Sequence, residues 1–153
     1  MIIIECDTDK YFIQSLGFSK NQIRHEGGKG DVIRCVGKNL SCFGVIDEDP
    51  DSSQPSDMQS YRKISEKESI TLFERKDGSA KKIIQISPNL ESWFINRARK
   101  NRINLHDYHL KDTFEALHTP HIERHKNFQD FLKKLIEVDE EVKILTHWLK
   151  GNK

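Results

Sequence analysis

Within its first fifty residues the chain alternates short apolar runs with capped helical segments, joined by turns of a few residues. Residues 2–5 read as a strand, and Asp7-Thr-Asp9 then offers N-cap side chains for a helix reaching about Leu16, ended by Gly17. Gln22 to His25 is short and extended. After Gly27-Gly-Lys-Gly30, Asp31 caps a second helix over about 31–38, ending near Gly37 and Asn39, and Leu40 to Ile46 is the next strand. Such β-α-β-α-β alternation with short turns predicts an α/β fold: a small, mostly parallel sheet with flanking helices.

Residues 48–60 hold no periodic apolar pattern and predict a long, mobile loop, of the kind that often carries function beside an active site. Ile70-Thr-Leu-Phe73 and Lys82-Ile-Ile-Gln-Ile86 flank Asp77-Gly78, a two-residue hairpin signal, with the pairing of the two strands left open. From Asn89 onward the pattern is helical. Asn89 caps a helix bearing Leu90, Trp93, Phe94 and Ala98 on one side, and a later amphipathic stretch carries Phe128, Phe131, Leu132, Leu135, Val138, Val142, Leu145 and Leu149. Glu137-Val-Asp-Glu-Glu141 marks a break between two helices. The whole length, 1–153, fits one domain, with an α/β core at 1–87 and a helical C-terminal extension at 89–153 packed on it.

No apolar run approaches the ~20 residues of a membrane span, and the run at 1–4 is too short for a signal peptide, so no membrane partner is expected. Cys6, Cys35 and Cys42 are odd in number and form no CxxC pair, which points to a reduced, cytoplasmic setting. Charge is uneven along the chain. Residues 1–60 carry six Lys/Arg against ten Asp/Glu, while residues 61–153 carry nineteen against fourteen. An acidic front half beside a basic back half suits a metal site next to a phosphate-contacting surface, although lysine-rich helices commonly just face water.

The acidic residues have a pattern of their own. Glu5 closes the first strand, and Asp47-Glu-Asp49 closes the strand at 40–46. In an open parallel sheet the C-terminal strand edge is where ligands bind. Carboxylates from two strands meeting there offer the hard oxygen donors that Mg²⁺ or Mn²⁺ prefers. Asp47 and Asp49, two apart on a strand end, are expected to share a side, with Glu48 on the other. Glu5 is a candidate ligand or general base if burial raises its pKa.

Ile-Ile-Ile-Glu5-Cys-Asp-Thr-Asp9 followed by Gly-Val-Ile-Asp47-Glu-Asp49 resembles the Toprim domain of topoisomerases, bacterial primases, OLD-family nucleases and several phage-defence proteins. That pattern is a strand ending in glutamate, an aspartate four residues later, then a strand ending in Asp-x-Asp. The resemblance covers about residues 1–50, with Cys6 where the family usually has glycine. A more distant likeness, Glu91-Ser-Trp93 at a helix start, implies that Glu91 joins Glu5, Asp47 and Asp49 in binding the metal. The resemblance implies a Toprim-like sheet and Mg²⁺- or Mn²⁺-dependent cleavage or transfer at phosphodiesters of DNA or RNA. It does not imply topoisomerase activity, which needs a further strand-passing domain.

Other side chains complete the expectation. Lys29, in the glycine turn between a strand and a helix, is a candidate phosphate contact. Arg97, Arg99, Lys100 and Arg102 are candidate contacts to a nucleic-acid backbone, although cations at a helix end also suit its dipole. His118, His121 and His125 lack a fourth ligand for a zinc tetrahedron and read as solvated histidines near a helix start. Trp93 and Trp148 read as core or interface residues. Three functions remain in view: a metal-dependent nuclease, a non-catalytic Toprim-like binding or regulatory subunit needing a protein partner in a defence or repair assembly, and a small-molecule phosphotransfer enzyme with a closed pocket.

Overall fold

The computed structural model describes residues 1–151, so Asn152 and Lys153 of the expected domain lie outside the described residues. Three strands open the chain: β1 (Ile2–Ile4), β2 (Ile23–His25) and β3 (Ser41–Asp47), with β1 between the other two and parallel to both. The helices joining them, α1 (Asp7–Ser15) and α2 (Lys29–Lys38), lie on opposite faces of the sheet. Strand alternation explains the division. Ile2 and Ile4 point to the face covered by Phe12 and Ile13 of α1, and Ile3 points to the face covered by Val32, Ile33 and Val36 of α2. The first crossover runs from β1 to β2 and the second from β2 back past β1 to β3, and right-handed connections in opposite directions place their helices in this way. Gly44 lets α2 lie close on β3, since a Cβ there would stand 2.8 Å from Val36 Cγ2 and 3.0 Å from Val32 Cγ1.

Three further strands extend the sheet to the order β2-β1-β3-β6-β5-β4. β6 (Ala80–Ile86) runs parallel to β3 over seven paired residues and antiparallel to β5 (Ile70–Arg75) across the Asp77-Gly78 turn, where Gly78 takes a positive φ of 79°. The hairpin strands therefore do pair, and β6 also completes a run of four parallel strands. β4 (Tyr61–Glu66), unforeseen in sequence, is an edge strand on which Tyr61 alone is buried, so its apolar alternation is nearly absent. The stretch expected to be featureless ends in a 3₁₀ turn at Ser56–Ser60. Helix starts also differ: Cys6 and Gly28 occupy the N-cap positions of α1 and α2, while Asp7, Asp9 and Asp31 sit in the first turns.

Four helices follow: α3 (Leu90–Lys100), α4 (Phe114–Leu117), α5 (Lys126–Val138) and α6 (Glu140–Leu149). Asn89 caps α3 as expected, its Oδ1 accepting from Ser92 N at 2.9 Å. The helical pattern does not run unbroken, because residues 101–125 hold only α4 and 3₁₀ turns at Leu105–Tyr108 and Ile122–Arg124. α3, α5 and α6 pack with α1 under one face of the sheet, in a single apolar cluster joining Ile4, Ile84 and Ile86 to Trp93, Phe94, Phe131 and Leu145. Phe12 stands edge-on to both Trp93 and Phe94, ring centroids 5.7 and 5.2 Å away. None of the helices among the described residues is long and apolar enough to cross a membrane.

The break at 137–141 falls at Asp139, which ends α5 and caps α6. Its fully buried carboxylate accepts from Val142 N (3.0 Å), Arg97 Nε (2.9 Å) and Asn101 Nδ2 (2.6 Å). Glu141, also buried, accepts from Trp93 Nε1 (3.0 Å) and Ser69 N (3.3 Å) and stands 3.6 Å from Arg97 Nη1. Arg97 is thus no part of an exposed nucleic-acid surface. It is buried as the counter-charge of two interior carboxylates, a role that cation clustering at a helix end does not reveal. Removing one partner of such a network strands buried charge, so Arg97→Leu is expected to cost about 3–5 kcal/mol in urea unfolding. An unchanged midpoint would return Arg97 to the surface.

Candidate functional site

At the C-terminal edge of β1 and β3 the backbone turns away from the sheet and leaves carboxylates behind. Glu5 follows β1 directly, and its Oε2 accepts from the Asp47 N–H at 2.9 Å, so the two strand ends are tied together through the site itself. Asp47 is the last residue of β3, and its Oδ1 accepts from Leu90 N at 3.0 Å, bringing the first turn of α3 to the same edge. Glu91 arrives with that turn, buried, with an oxygen 3.2 Å from His118 Nδ1.

Asp49 reaches the edge differently from the expected strand alternation. β3 ends at Asp47, and Asp49 adopts a left-handed φ of 45° while its N–H donates to the Pro88 carbonyl at 2.9 Å. Aspartate tolerates that region better than most residues. Lys29, the expected phosphate contact, donates to the Glu48 carbonyl (2.6 Å), Gln54 Oε1 (3.2 Å) and Ser52 Oγ (3.4 Å). All three ammonium donors therefore hold the loop after β3, and a phosphate contact would have to displace one of them.

Asp9, an N-cap candidate in the sequence, belongs to this group. It is 5 % exposed, and its Oδ2 accepts from the N–H groups of Cys6 (3.0 Å) and Glu5 (3.2 Å). The signal that could have found it is its four-residue spacing from Glu5, within the pattern already noted above.

Electrostatics sets these residues apart. Burial, reinforced by Asp9, Glu5, Glu91 and Asp49, pushes Asp47 up to about 9. Burial and the neighbouring Glu5 push Asp9 up to about 7 against the hydrogen bonds it accepts. Glu5 is raised as well, by burial first, opposed by the Asp47 N–H and by Lys29. Five carboxyl groups thus share one edge, with Lys29 offsetting the charge at Glu5. Oxygen donors under this mutual repulsion suit a hard divalent cation in chemistry.

The remaining expected residues are not gathered there. Arg99, Lys100 and Arg102 are exposed at the far end of α3, about 15 Å along its axis from Glu91. Arg99 stands 3.7 Å from Asp112 and Lys100 3.4 Å from Glu68. The three histidines do not converge: His118 meets Glu91 and stacks on Phe114, while His125 occupies the N-cap position of α5 with no side-chain cap hydrogen bond. Among the described residues, the set of three His, Cys or carboxylate side chains whose ligand atoms all lie within 4.8 Å of one another is Asp7, His121 and Glu123. The strand-end carboxylates are spaced more widely than that.

No protein-family model matches the chain, and neither does any curated protein or solved structure.

The raised carboxyls make stability pH-dependent with a definite sign. Between the ordinary aspartate value of 3.8 and the folded values near 7 and 9, the folded state holds protons that the unfolded state has lost. This contribution is fully present below 3.8 and is lost as pH rises through the folded values. In chelator, urea unfolding of the wild-type chain should therefore show stability falling from about pH 4 to pH 9. Asp47→Asn keeps the acceptor for Leu90 N and removes the charge. It should flatten the slope and exceed wild type at pH 9 by on the order of 1–3 kcal/mol. Parallel profiles for the two proteins would contradict the assignment.

Proposed function

We propose that this chain is a Toprim-like, divalent-metal-dependent nuclease or related phosphotransferase acting on nucleic-acid phosphodiesters. The observation that carries the reading is the crowding of Glu5, Asp9, Asp47, Asp49 and Glu91 at the C-terminal edge of two parallel strands, where burial and the neighbouring carboxylates raise the pKa of Glu5, Asp9 and Asp47. Asp47, Asp49, Glu5 and Glu91 would hold Mg²⁺ or Mn²⁺, which supplies neutralising charge for phosphoryl oxygens. Glu5 has Oε2 fixed by the Asp47 N–H, which leaves Oε1 for a ligand bond or for accepting a proton from the attacking group. Arg99, Lys100 and Arg102 would meet the nucleic-acid backbone at a distance from the reacting bond. Three unpaired cysteines fit action in the cytoplasm.

A second reading is a non-catalytic Toprim-like subunit of a defence or repair assembly. Two observations favour it: the wide spacing of the strand-end ligand atoms, and Cys6 in the place of the family's glycine.

Labelled single- and double-stranded DNA and RNA, incubated with the protein and Mn²⁺ or Mg²⁺, separate the readings. Ion-dependent cleavage that falls at least ~100-fold in Asp47→Asn and in Asp49→Asn is the expected result. Cleavage undiminished in both variants would sink the nuclease reading. Absence of cleavage, with tight nucleic-acid or partner binding retained in both variants, would establish the second.

A further inference from the structure

Beside the strand-end carboxylates lies a cavity of about 300 Å³ between the first turn of α1 and the segment before α5, lined by Asp7, Glu91, His118, His121 and Glu123 among others. Glu123 is the unusual member. Its side chain is only 12 % exposed, yet its one ion-pair partner among the described residues is His121 Nδ1, 3.6 Å from Oε1. Among the described residues no hydrogen bond to the carboxylate accompanies that contact. Its oxygens are not sealed from solvent but open onto the cavity, where their acceptor capacity is largely unused.

Asp7 comes from the other wall. One of its oxygens, one of Glu123 and a ring nitrogen of His121 all lie within 4.8 Å of one another. Donors around a single ion at ~2.1 Å stand roughly 3–3.5 Å apart, so the cluster has to contract by about an ångström. Asp7 and His121 have exposed side chains, 60 % and 56 %, and rotation by that much costs Asp7 only its long 3.8 Å contact with His25 Nδ1. Asp7 lies more than a hundred residues from His121 and Glu123, so local sequence spacing does not account for its meeting them.

We propose that Asp7, His121 and Glu123 form a binding site for a divalent transition-metal ion of the Zn²⁺ class, separate from the strand-end carboxylates. One imidazole and two carboxylates select Zn²⁺ or Co²⁺ over Mg²⁺, and three protein donors leave a coordination position open to the cavity. The ion would also tie residues 121–123 to the first turn of α1. The site stands on its own donors and does not require the strand-end residues to be active.

Co²⁺, a spectroscopic stand-in for Zn²⁺, titrated into the full chain in excess Mg²⁺ tests the assignment, with Zn²⁺ calorimetry alongside. Saturable one-to-one uptake with visible absorption of a low-coordinate ion is expected. It should weaken at least ~10-fold in His121→Asn and in Glu123→Gln, and stay unchanged in Asp47→Asn. Asparagine suits the left-handed φ of 59° at position 121, so that variant keeps the local backbone, and Glu123→Gln provides a second variant that leaves it untouched. The proposal is overturned by absent uptake, by wild-type affinity in both site variants, or by uptake lost in Asp47→Asn and kept in His121→Asn. The last result would assign the ion to the strand ends and leave the two sites distinguishable.

Discussion

Negative charge with too little positive charge beside it governs the sheet edge. The Asp47 carboxyl is buried among Asp9, Glu5, Glu91 and Asp49, and Lys29 is occupied by the loop that follows β3. A fold can hold such a group only by keeping protons on it or by supplying a cation, and either course makes the edge responsive to pH and to ions. The hydrogen bonds that shape the edge are made by the same carboxylates: Glu5 to the Asp47 N–H, Asp47 to the Leu90 N–H, and Asp9 to the N–H groups of Glu5 and Cys6. Structure and candidate chemistry therefore share atoms here.

The opposite electrostatic solution appears some residues further along α3. There Asp139 and Glu141 are buried too, but Arg97, Asn101, Trp93 and backbone N–H groups satisfy them. That network locks α3 against α6 and the start of β5, and so fixes the helix whose first turn carries Glu91 to the strand ends. One helix has a neutralised acidic cluster near its end and an uncompensated one at its start. The contrast marks the sheet edge as the place where charge is left unbalanced.

Much of this was legible in the sequence. Short apolar runs, turn residues and a hairpin signal imply the α/β sheet, and Glu5 and Asp47 stand at strand ends because apolar runs stop there. Less local features were hidden. β4 buries one side chain and so lacks the alternation that betrays a strand. Arg97 looked like one cation of a surface cluster, because its partners lie some forty residues away. Asp49 was placed by strand alternation, but the strand ends before it and a left-handed turn sets its direction. Asp7 is brought to the local pair His121 and Glu123 by tertiary packing, which no local spacing encodes.

The most direct test is a carboxyl ¹³C NMR titration of the full chain, with Asp47 assigned through Asp47→Asn. In chelator the Asp47 resonance should titrate well above neutrality, near its value of about 9, with Asp9 following near 7. Saturating Mg²⁺ or Mg²⁺-like diamagnetic ions should move the Asp47 transition down by several units. An Asp47 carboxyl titrating near 4 in chelator, indifferent to the ion, would contradict the account of the edge.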